Sequence, residues 1–432
     1  PRAYAGVEEL IPIRDATERV DETVVAPDTE NVPPILDEAF EIKPPPKTER
    51  PLAWNVEDAF KALFSAGVAF FAGRSFQRRG VLPLLALSMA VGAAASAAFL
   101  LAGGGILHTP VRFLNFPTSF DRMSAFFFFI VTCIGSLASL YAIPYLARHP
   151  HYNIKNVNGL LALFLFGMQG LLLADSPLAF LLFWEVMSMS SFFLVMADHE
   201  EASIRAAIFY LVMTHLGAGA LVAAFAIISG GNMFLPFAAL PAVFGTLSPL
   251  TAALAFGFFL FGFGSKAGIV PLHVWLPEAH PQAPSHISAL MSGVMLKMAV
   301  FGFLKIILVF HPAALHPAWS FLVIGLGILS AFYGVLYSIL ERDIKRVLAY
   351  SSIENLGLIF TLIGIFLYAA RFDIATLRDL AFTLIFFQSL CHAFFKSGLF
   401  MGAGIAVDAA GSRSLEAMGG LAKRMPAFSV GF

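Results

Sequence analysis

A close succession of long apolar runs fills most of the sequence after residue 58 and limits what this chain can fold into. We place the runs at about 59–73, 82–104, 124–146, 158–175, 177–197, 204–229, 250–270, 286–310, 319–340, 350–369 and 378–406, with a further run opening near 426. Most of them have the roughly 20 residues that a helix needs to cross a bilayer. The composition agrees, because 58% of the 432 residues are hydrophobic and only 13% are charged. The sequence therefore predicts an all-α protein that crosses a membrane many times.

The first 58 residues differ from the rest of the chain. They contain 14 acidic and 6 basic residues, with proline clusters at 33–34 and 44–46. A segment of this composition buries too little apolar surface to order itself, so we expect residues 1–58 to form a flexible extension. Because the chain starts without a methionine and a new apolar run opens near its end, we also expect it to be part of a longer protein.

Basic residues are distributed unevenly between the apolar runs. If run 59–73 spans the membrane, one set of loops carries Arg74, Arg78, Arg79, Arg148, Lys155, Arg205, Arg342, Lys345, Arg346, Arg413, Lys423 and Arg424, and the other set carries Arg112, Arg122, Arg371 and Arg378. Loops rich in Lys and Arg stay in the cytoplasm. We therefore predict a multi-pass protein of the bacterial inner membrane, with the N-terminal extension outside.

Four ionisable side chains fall inside apolar runs, namely Glu185, Lys266, Lys297 and Lys396. A charged group at the bilayer centre costs about 2.5–3.5 kcal/mol even on insertion scales, so each needs a partner or a hydrated cavity. If Glu185 and Lys266 lie close together, each stabilises the charged form of the other, and a change in their distance can move a proton. We interpret the four residues as a proton pathway, and the alternative is a static ion pair that fixes helix packing.

Histidines and other polar residues extend this set. His215 lies within a run, and His392 precedes Lys396 by four residues, on the same face of a helix. Histidine titrates near neutral pH and is a natural proton relay, although a membrane histidine is also often a packing residue. Further candidates for the pathway are Lys305, Glu354, His273 and His286.

The sequence offers little for a metal ion or a cofactor. His273, His280 and His286 are close in sequence, but no carboxylate or cysteine stands beside them at a ligand spacing. Cys133 and Cys391 are not in a CxxC pair, so no iron–sulfur cluster is indicated. The net charge of −1 does not favour nucleic acid as a partner. We expect no metal ion and no cofactor in this chain.

The run at 250–270 ends in the stretch GSKAGIVPLHVWLPEAHPQAPSH, which contains four prolines. Each proline removes a backbone donor and interrupts a helix. Non-helical backbone at membrane depth occurs only where protein or a water-filled cavity covers it, and broken helices line ion sites in transporters. The alternative is an ordinary proline-rich loop. Because Lys266 lies five residues before the first proline, we predict a broken helix at a functional site.

This stretch, continued to MSGVMLK, resembles the broken helix and the helix after it in the antiporter-like subunits of respiratory complex I, Mrp-type antiporters and membrane-bound hydrogenases. Four more motifs resemble the same family in the same order, namely LFWEVMSMSSFFLV, RDIKRVLAYSSIENLGLI, CHAFFKSGLFMGAG and LEAMGGLAKRMP. The resemblance covers about residues 112–432. The combination SKAGIVPLHVWLP and APSHISALMSGVMLK is most similar to the B component of hydrogenase-4 and its formate hydrogenlyase counterpart.

The resemblance implies about fourteen helices that include two inverted five-helix repeats. Residues 59–146 would be N-terminal helices, 147–310 the first repeat, and 311–432 a second repeat that lacks its C-terminal part. Glu185 and Lys266 match the family's charge pair, Lys297 matches its next lysine, and His392 and Lys396 match the residues of the second repeat. By repeat order, His215 would be their counterpart in the first repeat.

The resemblance also implies a function. We expect a proton-translocating membrane subunit of a hydrogenase-4-like or complex I-like pump. Its partners would be other membrane subunits and a peripheral redox arm of nickel–iron hydrogenase-like and iron–sulfur subunits, so the enzyme activity would belong to the complex. The alternatives are a monovalent cation/proton antiporter of the Mrp type and a non-transporting membrane scaffold for a soluble partner.

Overall fold

The computed structural model describes residues 81–103, 107–108, 118–310 and 316–432 of the chain. The expected extension 1–58, the run at 59–73 and the predicted side of the N-terminus lie outside these residues. The all-α membrane fold is confirmed, because ten helices of the described part are long and apolar enough to cross a bilayer. Two short strands, β1 (Leu107–His108) and β2 (Ser119–Phe120), pair in antiparallel fashion.

The helices follow the predicted runs closely. The ten long ones are α1 (Val81–Leu101), α2 (Arg122–Arg148), α3 (Ile154–Leu173), α4 (Pro177–Val195), α5 (Glu201–Ile228), α7 (Pro249–Ala267), α9 (Ser285–Val309), α10 (Ala318–Leu340), α11 (Ile344–Arg371) and α12 (Ala375–Ala410). The short ones are α6 (Leu240–Phe244), α8 (Leu276–Gln282), α13 (Leu421–Arg424) and α14 (Pro426–Gly431). Helix α9 is central, with 89% of its apolar window buried, and α10 is peripheral, with 22%.

Polar caps set where several of these helices begin. The side chain of Ser176 accepts a hydrogen bond from the Ala179 backbone and starts α4, with a proline in the first turn. Asp343 accepts from the backbone N–H groups of Lys345 and Arg346 at 2.8 and 3.2 Å. Helix α11 therefore starts before the predicted run at 350, and Lys345 and Arg346 belong to a helix rather than to the loop that the sequence indicated.

The helix break after Lys266 is present as predicted. Helix α7 ends at Gly268, which has a φ of +75°, a conformation that glycine adopts without strain. The Trp275 ring nitrogen donates to the carbonyl oxygen of Ser265 at 2.8 Å, and the Val270 N–H donates to Ser330 Oγ at 2.9 Å. These bonds satisfy polar groups that the break leaves without a helical partner.

Glycines allow α10 and α11 to pack with their backbones in contact. A Cβ atom added at Gly334 would overlap the Glu354 backbone, and one added at Gly357 would overlap the Ala331 backbone. Close approach of this kind through small residues is a common way for membrane helices to associate. It positions the part of α11 that faces Lys396.

Candidate functional site: a buried row of lysines and histidines

Lys266 lies in the last turn of α7 and is 1% exposed. Its ammonium donates to Ser188 Oγ at 2.9 Å and to the Tyr210 hydroxyl at 2.7 Å. The ring centroids of Tyr210 and Trp184 lie 5.0 and 5.9 Å from Nζ. Two of the three ammonium donors therefore meet neutral oxygens, and aromatic faces cover the group.

Glu185 does not form a direct ion pair with Lys266. Its Oε2 is 3.3 Å from His215 Nε2, and the two side chains are 39% and 44% exposed in this chain. No carboxylate of the described residues lies within 4.0 Å of the Lys266 ammonium. Glu185 is three residues, about one turn, before Ser188, the serine on α4 that accepts from the Lys266 ammonium. The structure thus joins two of the predicted residues, Glu185 and His215, as a pair.

Lys297 contacts His392 directly. Both side chains are fully buried, and Lys297 Nζ lies 2.5 Å from His392 Nδ1 and 2.8 Å from the carbonyl oxygen of Ser292. An ammonium can only donate, so Nδ1 accepts, and a neutral ring then carries its proton on Nε2. That Nε2 has no hydrogen-bond partner in the described part of the chain. A π-helical segment, Met291–Met295, ends two residues before Lys297, and such segments are frequent at functional sites.

Lys396 continues the row on α12, one turn after His392. Its ammonium donates to Ser351 Oγ at 2.8 Å and to the Leu348 carbonyl oxygen at 3.4 Å. Ser351 Oγ in turn lies 3.4 Å from Glu354 Oε2. Glu354 is thus connected to Lys396 through one hydroxyl, a role that the sequence alone left open.

Hydroxyl and sulfur atoms fill the intervals between these lysines. The Tyr210 hydroxyl lies 2.6 Å from Ser191 Oγ and 3.5 Å from the Met295 sulfur, two residues before Lys297. Ser292 Oγ lies 2.7 Å from Ser352 Oγ, which is next to the serine that binds Lys396. The three lysines therefore belong to one layer of polar groups inside the helices.

Lys305 is buried but lies outside this layer. It is 8% exposed, its ammonium is 3.8 Å from Asp121 Oδ2, and the rings of Phe237 and Phe301 cover it at 5.2 and 5.4 Å. Its contact is with the residue that caps α2. Although Lys305 and Lys297 are on one helix, the structure does not bring them together.

Histidines of the broken helix and one unexpected lysine form a second buried group. His280 and His286 are fully buried, and none of their four ring nitrogens has a hydrogen-bond partner among the described residues. His273 packs its ring against Tyr333 at 4.5 Å. Lys345 is 5% exposed and donates to the carbonyl oxygen of residue 283 at 2.9 Å. Buried polar atoms without a protein partner are rare in folded proteins, so these nitrogens stand out from the apolar core around them.

Sequence reasoning missed Lys345 because the residue stands beside other charges that belong to a loop. The signal that identifies it is Asp343, two residues earlier, whose side chain caps a helix that starts at Ile344. A lysine in the first turn of a membrane helix can face either the solvent or its neighbours. Only the packing of α11 against the 276–286 segment decides that Lys345 is buried.

Residues 174–432 match the family model "NADH:quinone oxidoreductase/Mrp antiporter, TM", and residues 113–154 match "NADH-Ubiquinone oxidoreductase (complex I), chain 5 N-terminus". The chain belongs to this family. The resemblance inferred from the motifs is thereby confirmed. The two inverted repeats and their boundaries stay predictions.

Relatives in the family come from several kinds of membrane complex. Hydrogenase-4 component B of Escherichia coli K12 is 37% identical over 73% of this chain and 47% of its own length. The Na⁺/H⁺ antiporter subunit A1 of Staphylococcus haemolyticus is 32% identical over 72% of this chain and 39% of its own length. The chain thus spans less than half the length of these relatives. A chain of the Mrp complex from Dietzia sp. DQ12-45-1b shares the fold, with a TM-score of 0.73 at 23% identity over 87% of this chain and 68% of that one.

Proposed function

We propose that this chain is part of a proton-translocating membrane subunit in a redox-driven complex of the hydrogenase-4 or complex I type. The observation that carries the proposal is the row Lys266, Lys297, His392 and Lys396, whose members are buried and meet neutral acceptors inside a membrane fold. Three lysines that only held helices together would be expected to pair with carboxylates, since a buried unpaired charge is strongly destabilising.

Neutral acceptors suit a lysine that must change its protonation state. An ammonium held by hydroxyl groups releases its proton at a lower cost than one held by a carboxylate, because a nearby negative charge favours the charged form. Positive charges on neighbouring lysines also repel each other at the low dielectric of the interior. A proton that arrives at one lysine therefore favours release from the next.

His392 would relay the proton between Lys297 and Lys396, because its ring contacts Lys297 and stands one turn before Lys396 on α12. Its Nδ1 can take the proton from the Lys297 ammonium, which leaves a neutral amine and an imidazolium. The imidazolium then releases the proton from Nε2, the nitrogen without a partner among the described residues, and water can carry it onward. The ring is left with its proton on Nδ1 and must regain the starting tautomer before the next cycle.

Glu185 and His215 support the assembly of this chain with other membrane subunits. A titratable pair that is about two-fifths exposed within a membrane-spanning segment is costly in contact with lipid, so we place a neighbouring membrane subunit there. Movement of that subunit would change the charge beside Lys266 and start the transfer. The redox centres would lie in partners, a peripheral arm of nickel–iron hydrogenase-like and iron–sulfur subunits, and the complex in a bacterial inner membrane.

Substitution of Lys266 tests the proposal in the intact complex. Lys266→Ala should abolish redox-driven proton translocation in inverted membrane vesicles, while the partner subunits still react with artificial acceptors. Lys155→Ala, which removes an exposed lysine at the start of α3, is the matched control and should translocate protons normally. Normal translocation in the Lys266→Ala variant would refute the proposal.

A monovalent cation/proton antiporter is the second candidate, because a relative at 32% identity is named a Na⁺/H⁺ antiporter subunit. Sodium-dependent proton movement in vesicles without any electron donor would favour this candidate. Proton movement that requires a donor and does not depend on Na⁺ or K⁺ would favour the redox-driven pump.

A further inference from the structure

An open cavity of about 680 Å³ lies at the ends of α7, α10 and α11, away from the row of lysines. Its walls are mostly apolar, and they include Leu250, Trp319 and Leu322, together with two titratable groups, His316 and Arg371. Leu250 and Leu322 are themselves exposed, so the cavity continues into the apolar outer surface of the helices. Its size and its largely apolar lining match sites that hold small amphipathic molecules.

Arg371 is the unusual member of this lining. Among the described residues, its buried Nε has no hydrogen-bond partner, and no carboxylate lies within 4.0 Å of its guanidinium. The guanidinium carbon lies 5.9 Å from the ring centroid of Phe372. By contrast, Arg122 donates to the Gly103 carbonyl oxygen at 2.7 Å, and Arg378 donates to an aspartate at 3.0 Å. A guanidinium with an unused buried donor favours an anion with oxygen atoms at that position.

The ends of three membrane-spanning helices surround the cavity, which is the position expected near the depth of lipid headgroups. It is formed where α7 and α10 begin and where α11 ends, and Trp319 lines it, a residue type enriched at the membrane–water boundary. His316 Nδ1 accepts from the Ala318 N–H at 3.2 Å, which leaves its other ring nitrogen available as a donor in the neutral ring. Apolar walls that open onto the hydrocarbon and donors at the rim are the two requirements for a phospholipid.

We propose that this cavity binds a phospholipid, with its phosphate on Arg371 and His316 and an acyl chain along Leu250, Ala253 and Leu322. The guanidinium supplies paired donors for phosphate oxygens, and the apolar walls supply the contact area that a soluble anion would not use. The lipid would bridge the ends of α7, α10 and α11, and α7 is the helix that carries the first lysine of the row. Lipid binding here does not depend on the direction or the ion of transport.

Native mass spectrometry of the purified full-length protein tests this site. The delipidated protein would be titrated with dioleoyl phosphatidylglycerol and, separately, with dioleoylglycerol, which has the same acyl chains and no phosphate. Wild-type protein should retain the phospholipid, and Arg371→Gln should weaken the first binding step by about tenfold, the scale of one lost charge-assisted hydrogen bond. Arg378→Gln is the matched control, because Arg378 already binds Asp379. The Arg378→Gln variant should therefore bind the lipid as tightly as wild type.

A second variant keeps the test valid if Arg371→Gln does not fold. Leu322→Trp leaves both basic groups in place and fills the apolar part of the cavity, so it should also weaken the first binding step. Equal retention of dioleoylglycerol would overturn the proposal, because it would show an apolar groove without a phosphate site. Displacement of the phospholipid by millimolar inorganic phosphate would also overturn the proposal. So would an intact complex in which a partner subunit covers the cavity and no lipid is bound there.

Discussion

The three buried lysines of the row differ in what accepts their hydrogen bonds. Lys266 is held by two hydroxyls, Lys297 by an imidazole and a carbonyl oxygen, and Lys396 by a hydroxyl that leads to Glu354. Of these acceptors, only the imidazole of His392 has a basic ring nitrogen that can bind a proton. The contact between Lys297 and His392 is therefore the point at which side chains alone can pass a proton from one helix to another.

Replacement of His392 by asparagine separates hydrogen bonding from proton relay. The amide oxygen can still accept from the Lys297 ammonium, but an amide does not take up a proton at physiological pH. We expect His392→Asn to reduce proton translocation by about 10²-fold or more, the usual contribution of a positioned acid–base group. Stopped-flow measurement of a pH dye in vesicles gives the rate, with the redox rate of the partners as the internal reference.

The exposed histidine His199 supplies the control for this substitution. His199→Asn should leave proton translocation unchanged, because that residue lies in the turn between α4 and α5, outside both the row and the lipid cavity. Unimpaired translocation in His392→Asn would show that water, rather than the imidazole, connects Lys297 with Lys396.

How far these residues follow from the sequence depends on what defines each one. The sequence identifies Lys266, Lys297 and Lys396, because a charged side chain within a long apolar run must face the protein interior or a hydrated cavity. The partner of Glu185 cannot be identified from the sequence. Several polar groups lie within one helical turn of this carboxylate, and only side-chain packing selects His215 rather than Lys266 as its partner. The burial of Lys345 is missed for a related reason. The end of an apolar run does not mark the end of a helix, and Lys345 lies in a helical turn outside the run.

At the scale of elements, the contact between α10 and α11 fixes where Ser351 and Glu354 stand relative to the last lysine of the row. The two helices meet through Gly334 and Gly357, where any side chain would overlap the opposite backbone. The apolar runs predict both helices well, but they do not predict which glycines lie in the contact. Gly325 is also on α10, and a Cβ atom there would meet no atom of the described residues within 4 Å.

A comparison of two alanine substitutions in α10 tests this contact. Gly334→Ala must push α11 away and should lower the stability by roughly 1–3 kcal/mol, as overpacking does in closely packed interiors. Gly325→Ala makes no new contact and should stabilise α10 slightly, since alanine favours a helix over glycine by about 1 kcal/mol. The stability of both variants is measured by thermal unfolding in detergent, with tryptophan fluorescence as the signal. Equal unfolding temperatures would mean that the two helices do not depend on this close approach.

At the scale of the whole molecule, the helices present two kinds of outer surface. Helix α10 exposes an apolar face with no charged side chain between Ala318 and Leu340, which suits contact with lipid. Helices α4 and α5 expose the pair Glu185 and His215, and this titratable pair does not suit contact with lipid. The difference predicts that the surface around Glu185 and His215 faces another protein subunit, and that the exposed face of α10 faces the bilayer.

Photo-crosslinking from the native membrane distinguishes these two surfaces. A benzophenone amino acid at Leu216, beside His215 and 58% exposed, should capture a membrane subunit of the complex in good yield. The same label at Ile339, which is 76% exposed on α10, should give mainly lipid adducts. Because both positions are exposed in the isolated chain, exposure alone predicts equal protein adducts from the two. Equal yields would therefore show that the charged pair does not mark the subunit contact, and the trigger for transfer at Lys266 would have to come from another face.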